Sequence, residues 1–148
     1  MLGYLLVLHL VLLRLDVALA SEPESPSIGD VYASVESYHL REVTLEGTVQ
    51  HLKLLEPYTL PSGLICQGAY RFALEDDTGT IELIVPGWCG KQLPREVTVA
   101  DGDRVSVRAE FHAPGRGSYS LDMKGRKLEA GDADQAHGIA KTITHLGQ

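Results

Sequence analysis

Between residues 70 and 85 the sequence alternates so strictly that few folds can accommodate it. Tyr70, Phe72 and Leu74 are separated by Arg71 and Ala73, and Ile81, Leu83 and Val85 by Glu82 and Ile84. A period of two puts each apolar set on one face of a strand. Between the two sets, Asp76-Asp77-Thr78-Gly79 supplies turn chemistry, and Gly79 can take the positive φ that a tight hairpin demands. Centring the turn on Asp77-Thr78 sets Leu74 opposite Ile81, Phe72 opposite Leu83 and Tyr70 opposite Val85. Every inward residue then faces an inward partner. Continuing the same register brings Cys66 opposite Cys89. Facing residues on antiparallel strands have Cβ atoms about 4.5–5.5 Å apart, close to the reach of a disulfide. A bulge at Gly79 would shift this match by one, and Pro86-Gly87 can end the ladder early. The expectation is a structural Cys66–Cys89 bond pinning the 56–69 loop to the start of the 88–100 connection. The close Cys-x-x-Cys spacing of a redox-active pair is absent.

The rest of the chain supplies partners for this hairpin. Val43, Leu45, Gly47 and Val49 alternate with Thr44, Glu46, Thr48 and Gln50, and Gly47 suggests a bulge or sharp coil of the kind small barrels use to close. Asp101-Gly102-Asp103 turns into a strand with Val105, Val107, Ala109 and Phe111 inward. After Pro114-Gly115-Arg116-Gly117, the residues Tyr119, Leu121 and Met123 read as a fifth strand. Five strands with turn signals and no helical crossovers predict a mainly β chain, a small antiparallel barrel. A short helix precedes it: Ile28, Val31, Val35 and Tyr38 fall at helical spacing behind Ser27, with Asp30 completing a capping box. Residues 88–100 form a connection with room for a helical turn. A second short helix is expected in the tail, where Asp132 can cap and Ile139, Ile143 and Leu146 share a face.

The first twenty residues stand apart. Leu5 to Leu13 is apolar except for His9, too short to span a bilayer, which needs about 20 apolar residues. It has the length of a signal-peptide core, and Ala18-Leu19-Ala20 supplies the small residues that a signal peptidase requires. Met1-Leu2-Gly3-Tyr4 lacks the usual basic residue, so a mis-assigned start or a tethered leader stays open. The expected organisation is a signal peptide at 1–20, a linker at 21–26, the barrel with its preceding helix at 27–128, and a tail at 129–148. Cleavage would release a periplasmic or extracellular protein with no stable membrane insertion, a setting in which disulfides persist.

Three segments together resemble a known family. Val43-Thr44-Leu45-Glu46-Gly47-Thr48-Val49, the Phe72–Ile81 hairpin with its Asp-x-x-Gly turn, and Asp101-Gly102-Asp103-Arg104-Val105 are similar to the OB-fold domains of the anticodon-binding-like nucleic-acid-binding group, exported bacterial type. The resemblance covers roughly residues 28–128. It implies a five-stranded OB-type antiparallel barrel with short N- and C-terminal helices, and a non-catalytic module that binds single-stranded nucleic acid. The family's binding face is the outer side of the second and third strands, here Arg71, Ala73, Glu75, Thr80, Glu82 and Ile84. That face offers neither the aromatic platforms nor the basic groove of a single-strand binder.

Cations gather elsewhere. Arg104, Arg108, Arg116, Lys124, Arg126 and Lys127 fall on the fourth and fifth strands and their loop, and Tyr58, Trp88 and Tyr119 can supply rings beside them. The set reads either as a phosphate-tracking patch or as a solvated face. A net charge of −7, from 13 Lys and Arg against 20 Asp and Glu, excludes a surface built throughout to neutralise phosphates. The alternative partner is a protein, with the barrel as an envelope or extracellular scaffold.

Catalysis is not expected. Six histidines, at 9, 39, 51, 112, 137 and 145, form no His-x-x-x-His pair. Asp132, Asp134 and His137 are more readily a helix start than a metal site. Asp76 and Asp77 serve their turn, and Ser62 and Ser118 have no companion base at a defensible spacing. No glycine-rich phosphate loop precedes a helix, and no cofactor is implied.

Overall fold

The computed structural model describes residues 25–90, 96–115, 122–123, 126–127 and 135–147. The predicted leader and the 21–24 part of the linker lie outside them. Two short helices, α1 (Ile28–Ala33) and α2 (Val35–Tyr38), precede β1 (Glu42–Leu54), β2 (Tyr58–Thr59), β3 (Ile65–Gln67), β4 (Tyr70–Asp76), β5 (Gly79–Val85), β6 (Trp88–Cys89), β7 (Arg104–His112), β8 (Asp122–Met123), β9 (Arg126–Lys127) and β10 (His137–His145). Five strands close a barrel in the order β1-β4-β5-β10-β7. Every neighbouring pair is antiparallel except β5 and β10, which run parallel. This is the strand order of an OB-fold barrel.

The hairpin forms in the expected register. Tyr70 pairs with Val85, Phe72 with Leu83, Leu74 with Ile81 and Asp76 with Gly79. All six apolar partners are buried, together with Leu45, Val49, Val105, Val107, Ala109 and Phe111 from the other walls. Beyond the hairpin the ladder is interrupted at Gly68, Ala69, Pro86 and Gly87. It then resumes in the same register, pairing Cys66 with Cys89 and Gln67 with Trp88. The two cysteines form the expected disulfide.

β1 is long because it serves two walls. Glu42–Thr48 pairs with β7 and Thr48–Leu54 with β4. The transfer happens at Gly47, where a Cβ would stand 2.5 Å from the Glu75 carbonyl oxygen. The sharp coil expected at Gly47 is therefore there, while the register shift falls between Gln50 and Lys53, with His51 at φ 54°. Backbone freed by that bulge bonds to the turn before β7. The Leu52 N–H donates to the Asp101 carboxylate at 2.8 Å, and the Gly102 N–H to the Val49 carbonyl at 2.8 Å.

Two expectations change. Met123 does not belong to a barrel strand: β8 and β9 pair with each other as a separate two-stranded sheet. Tyr119 and Leu121 lie outside the described residues. The fifth barrel strand is instead β10, where a tail helix was expected, so the barrel extends to His145 rather than ending near residue 128. A bulge explains the misreading. Ala140 faces Ala109 and Ile143 faces Val107, with the register shifting between Ala140 and Thr142. The extra residue, Lys141, breaks the period of two, so the inward residues Ala140 and Ile143 are three apart and no strand alternation shows in the sequence. The free edges of β5 and β7 demand a partner, and the β-branched residues Ile139, Thr142, Ile143 and Thr144 suit that place. The 88–100 connection begins with β6 and residues 96–100 are irregular; the helical turn expected in it is left to residues 91–95, which lie outside the described set.

The helix docks on the hairpin turn. Ser27 and Asp30 form the expected capping box. Asp76 then accepts hydrogen bonds from Ile28 N at 2.8 Å, Thr78 N at 2.7 Å, Thr78 Oγ1 at 2.6 Å and Gly79 N at 3.0 Å. Burial pushes its carboxyl up, but the four donors outweigh it and hold the group below the usual carboxylate range. Ile28 and Val31 are thereby fixed in the core. Replacing Asp76 by Ala removes an acceptor shared by turn and helix, and should cost about 1–2 kcal/mol in urea unfolding. Because its folded-state pKa is lowered, the Asp76 contribution is present above the ordinary carboxylate range and is lost as pH falls through it. An Asp76→Ala loss as large under strongly acidic conditions as at neutral pH would contradict this.

Candidate ligand-binding surface

Side-chain alternation sends Arg71, Ala73 and Glu75 of β4, and Thr80, Glu82 and Ile84 of β5, to the outside of the barrel. The face they make is largely self-satisfied. Arg71 Nη1 is 3.4 Å from Glu82 Oε2, and Ile84 is buried. The Tyr32 hydroxyl, reaching over from α1, donates to the Thr80 carbonyl at 3.1 Å. No exposed ring stands on either strand, as the sequence led us to expect.

The β7 arginines are exposed but answered. Arg108 Nε is 3.5 Å from Glu42 Oε2, with both side chains about half exposed. Arg104 lines a groove of about 410 Å³ with Gly47, Thr48 and Gln50 and the acidic residues Glu46, Glu75, Asp76 and Asp77. Lys141 of β10 lies 3.6 Å from Glu110 Oε2. Arg116, Lys124 and Tyr119 fall outside the described residues. Arg126 and Lys127 belong to β9, on the separate hairpin rather than on a barrel strand beside Arg104 and Arg108.

The remaining predicted residues, Tyr58 and Trp88, belong to a small lobe beyond the hairpin. β2, β3 and β6 form a three-stranded sheet in the order β2-β3-β6, joined by the disulfide. Its inner side buries Tyr58, Cys66 and Ala69, with Leu55, Leu60 and Cys89 packed against them. Tyr58 is thus a core residue and not the exposed ring the sequence reading expected. Burial pushes its phenol pKa up, and a backbone hydrogen bond at Gly87 offsets part of that. The opposite side of the sheet carries exposed apolar side chains beside Gln67 and Thr59. Ile65 is 53 % exposed, Trp88 45 % and the adjoining Leu64 48 %. Cys66 pairs with Cys89 and Gln67 with Trp88, so Ile65 and Trp88 are diagonal neighbours on one face. Gly90 closes the sheet by donating its N–H to the Ile65 carbonyl at 2.9 Å.

The lobe continues from the C-terminal end of β1, where Leu54 pairs with Tyr70, whereas Arg108 pairs with Thr44 near the strand's start. Among the described residues, Tyr58 and Trp88 therefore do not lie beside Arg104 and Arg108. The Ile65–Trp88 platform was missed at first reading, although a signal was present. The register that joins the cysteines also puts residues 65, 67, 88 and 90 together on the other side.

No protein-family model matches the chain, and no curated protein does. Among solved structures it is similar to a protein assigned as an aspartyl-tRNA synthetase from Leishmania major Friedlin, at 9 % identity and a TM-score of 0.48. That likeness covers 85 % of this chain and 21 % of the other, so the chain spans about a fifth of the synthetase's length. The OB assignment rests on the barrel's strand order and not on this likeness. Among the described residues no group of His, Cys, Asp or Glu is arranged to hold a metal ion, and no helix is long and apolar enough to cross a membrane.

The two sides of the lobe predict opposite responses to substitution. Tyr58→Ala should cost about 3 kcal/mol or more, because it empties the buried side. Ile65→Asp should stay within about 0.5–1 kcal/mol of the parent, as exposed positions do. Thermal and urea unfolding of the two variants checks this; equal losses in both would mean the outer side is also structural. Replacing both cysteines by Ser should cost about 3 kcal/mol for a bridge closing 23 residues.

Proposed function

We propose that the chain is a non-catalytic OB-fold binding module of an oxidising, extracytoplasmic compartment, and that it engages a protein partner through the apolar side of its disulfide-held lobe. One observation carries the reading: Ile65 and Trp88 are exposed on one face of a sheet braced by the Cys66–Cys89 bond, with exposed Leu64 preceding Ile65 in the chain. Exposed apolar side chains held on a rigid base are what protein interfaces use as anchors, with Trp enriched among the residues that dominate binding. A prepaid conformation lowers the entropy lost on docking. Two features support the compartment: the disulfide, which persists where thiols are not kept reduced, and the apolar 5–13 stretch ahead of Ala18-Leu19-Ala20.

Charge argues for protein over nucleic acid. Phosphate tracking needs cations free to replace counterions. Arg71, Arg108 and Lys141 each stand within 4 Å of a carboxylate, and Arg104 shares its groove with four acids. The OB strand order still makes single-stranded nucleic acid the rival to exclude.

Fluorescence anisotropy of residues 21–148 with labelled single-stranded DNA and RNA, at low and physiological salt, separates the two. The expected result is no saturable binding at low salt. Tight binding that weakens with salt and with Arg108→Glu would overturn the protein reading. In the native compartment, crosslinked complexes should form with the parent protein and with Arg108→Glu but vanish with Ile65→Asp. Complexes that survive Ile65→Asp would remove the lobe from the interface.

A further inference from the structure

A histidine cluster unrelated to the lobe sits where β10 closes the barrel. His112 is the last residue of β7 and His137 the first of β10; they are paired in the ladder and are 1 % and 3 % exposed. Their rings stack at 5.3 Å between centroids with 9° between planes. His39, following α2, meets His112 edge-on at 6.1 Å. The His39 Nδ1 accepts a hydrogen bond from the Ala113 N–H at 3.1 Å, which requires that nitrogen to be unprotonated. His137 Nδ1 lies 3.4 Å from the Gln135 carbonyl.

Charged groups approach this cluster from every neighbouring strand. On β7, Glu110 Oε1 is 3.2 Å from His112 Nε2, while its Oε2 faces Lys141 of β10 at 3.6 Å. On β5, Glu82 stands opposite His137 and is 3.4 Å from Arg71 of β4. On β1, Glu42 is opposite Glu110 and is held by Arg108 at 3.5 Å. The carboxylates nearest the histidines already face Lys141 and Arg71, so they offset only part of any added positive charge.

We propose that His39, His112 and His137 form an acid-sensitive latch on the barrel seam. In their neutral forms they hold β10 against β7 and the α2 exit; protonated, they loosen that closure. Three effects act in the same direction. A proton on His39 Nδ1 displaces the Ala113 N–H. A charge on His112 is held away from water. Two charged rings at the stacking distance repel. The direction for His112 agrees: burial, then His137, holds its pKa below the usual histidine value, with Glu110 pulling the other way. A base shifted in that direction contributes stability that is complete above the ordinary histidine value and lost as pH falls through the range below it. The seam is a short join, since β5 and β10 pair over Glu82–Ile84 and His137–Ile139.

The test is urea unfolding of the full chain from about pH 7.5 to about pH 5, the range in which histidine changes charge. The midpoint of the parent protein should fall across that range, with the β10 amides losing exchange protection before those of β4. His112→Phe with His137→Phe keeps two stacked rings but removes their titration, and its midpoint should fall much less. His39→Asn retains an acceptor for the Ala113 N–H and should stay near the parent at neutral pH. A flat midpoint in the parent, or an equal fall in the double variant, would overturn the latch. If the double variant does not fold, ring resonances of the parent decide: His112 titrating at or above the ordinary histidine value also overturns it.

Discussion

The closure of the barrel by β10 is the constraint on which the rest depends. Without it, β5 and β7 would each present an open edge, and the apolar faces of the hairpin would have no opposite wall. The fit is made at Gly138, where a Cβ would stand 2.6 Å from Leu83 Cδ2 and 3.2 Å from Ala109 Cβ. A side chain there would force Leu83 to move and would crowd Ala109 and Phe111. Small residues on the closing strand, Gly138 and Ala140, leave room for Phe111 and Leu83, so volume is balanced across the wall rather than within one strand.

The 70–85 hairpin organises the other end of the molecule in the same way. Its turn receives the N-terminus of α1 through Asp76 and Thr78, and its strands hand their register on to β3 and β6. The interruption at Gly68 and Gly87 is a bend without a slip. Gly87 is needed there because a Cβ would meet the Gln67 carbonyl oxygen at 2.6 Å. A rigid lobe with one buried and one open side results, and the disulfide lies on the buried one.

Charge is distributed against the simplest reading of an OB barrel. Arg71, Arg108 and Lys141 each stand beside a carboxylate on a neighbouring strand, a pattern that solvates the walls. The lobe exposes Leu64, Ile65 and Trp88, while the buried histidines His112 and His137 lie at the seam. The proposed binding surface and the proposed acid latch therefore occupy different parts of the fold.

What the sequence determined by itself was the hairpin register, the inward residues of β1, β4, β5 and β7, the Ser27–Asp30 cap, and the cysteine pairing. These follow from a period of two and from turn chemistry, which act between residues close in the chain or aligned by one register. Only the tertiary structure decided the closing strand, because the bulge at Lys141 broke its alternation and its need to be a strand comes from two edges formed far away in sequence. Tertiary packing likewise buried Tyr58 while leaving Trp88 and Ile65 open, since burial depends on which side of a sheet meets another layer. It also stacked His112 on His137, residues joined by a long excursion that no local pattern could fold back.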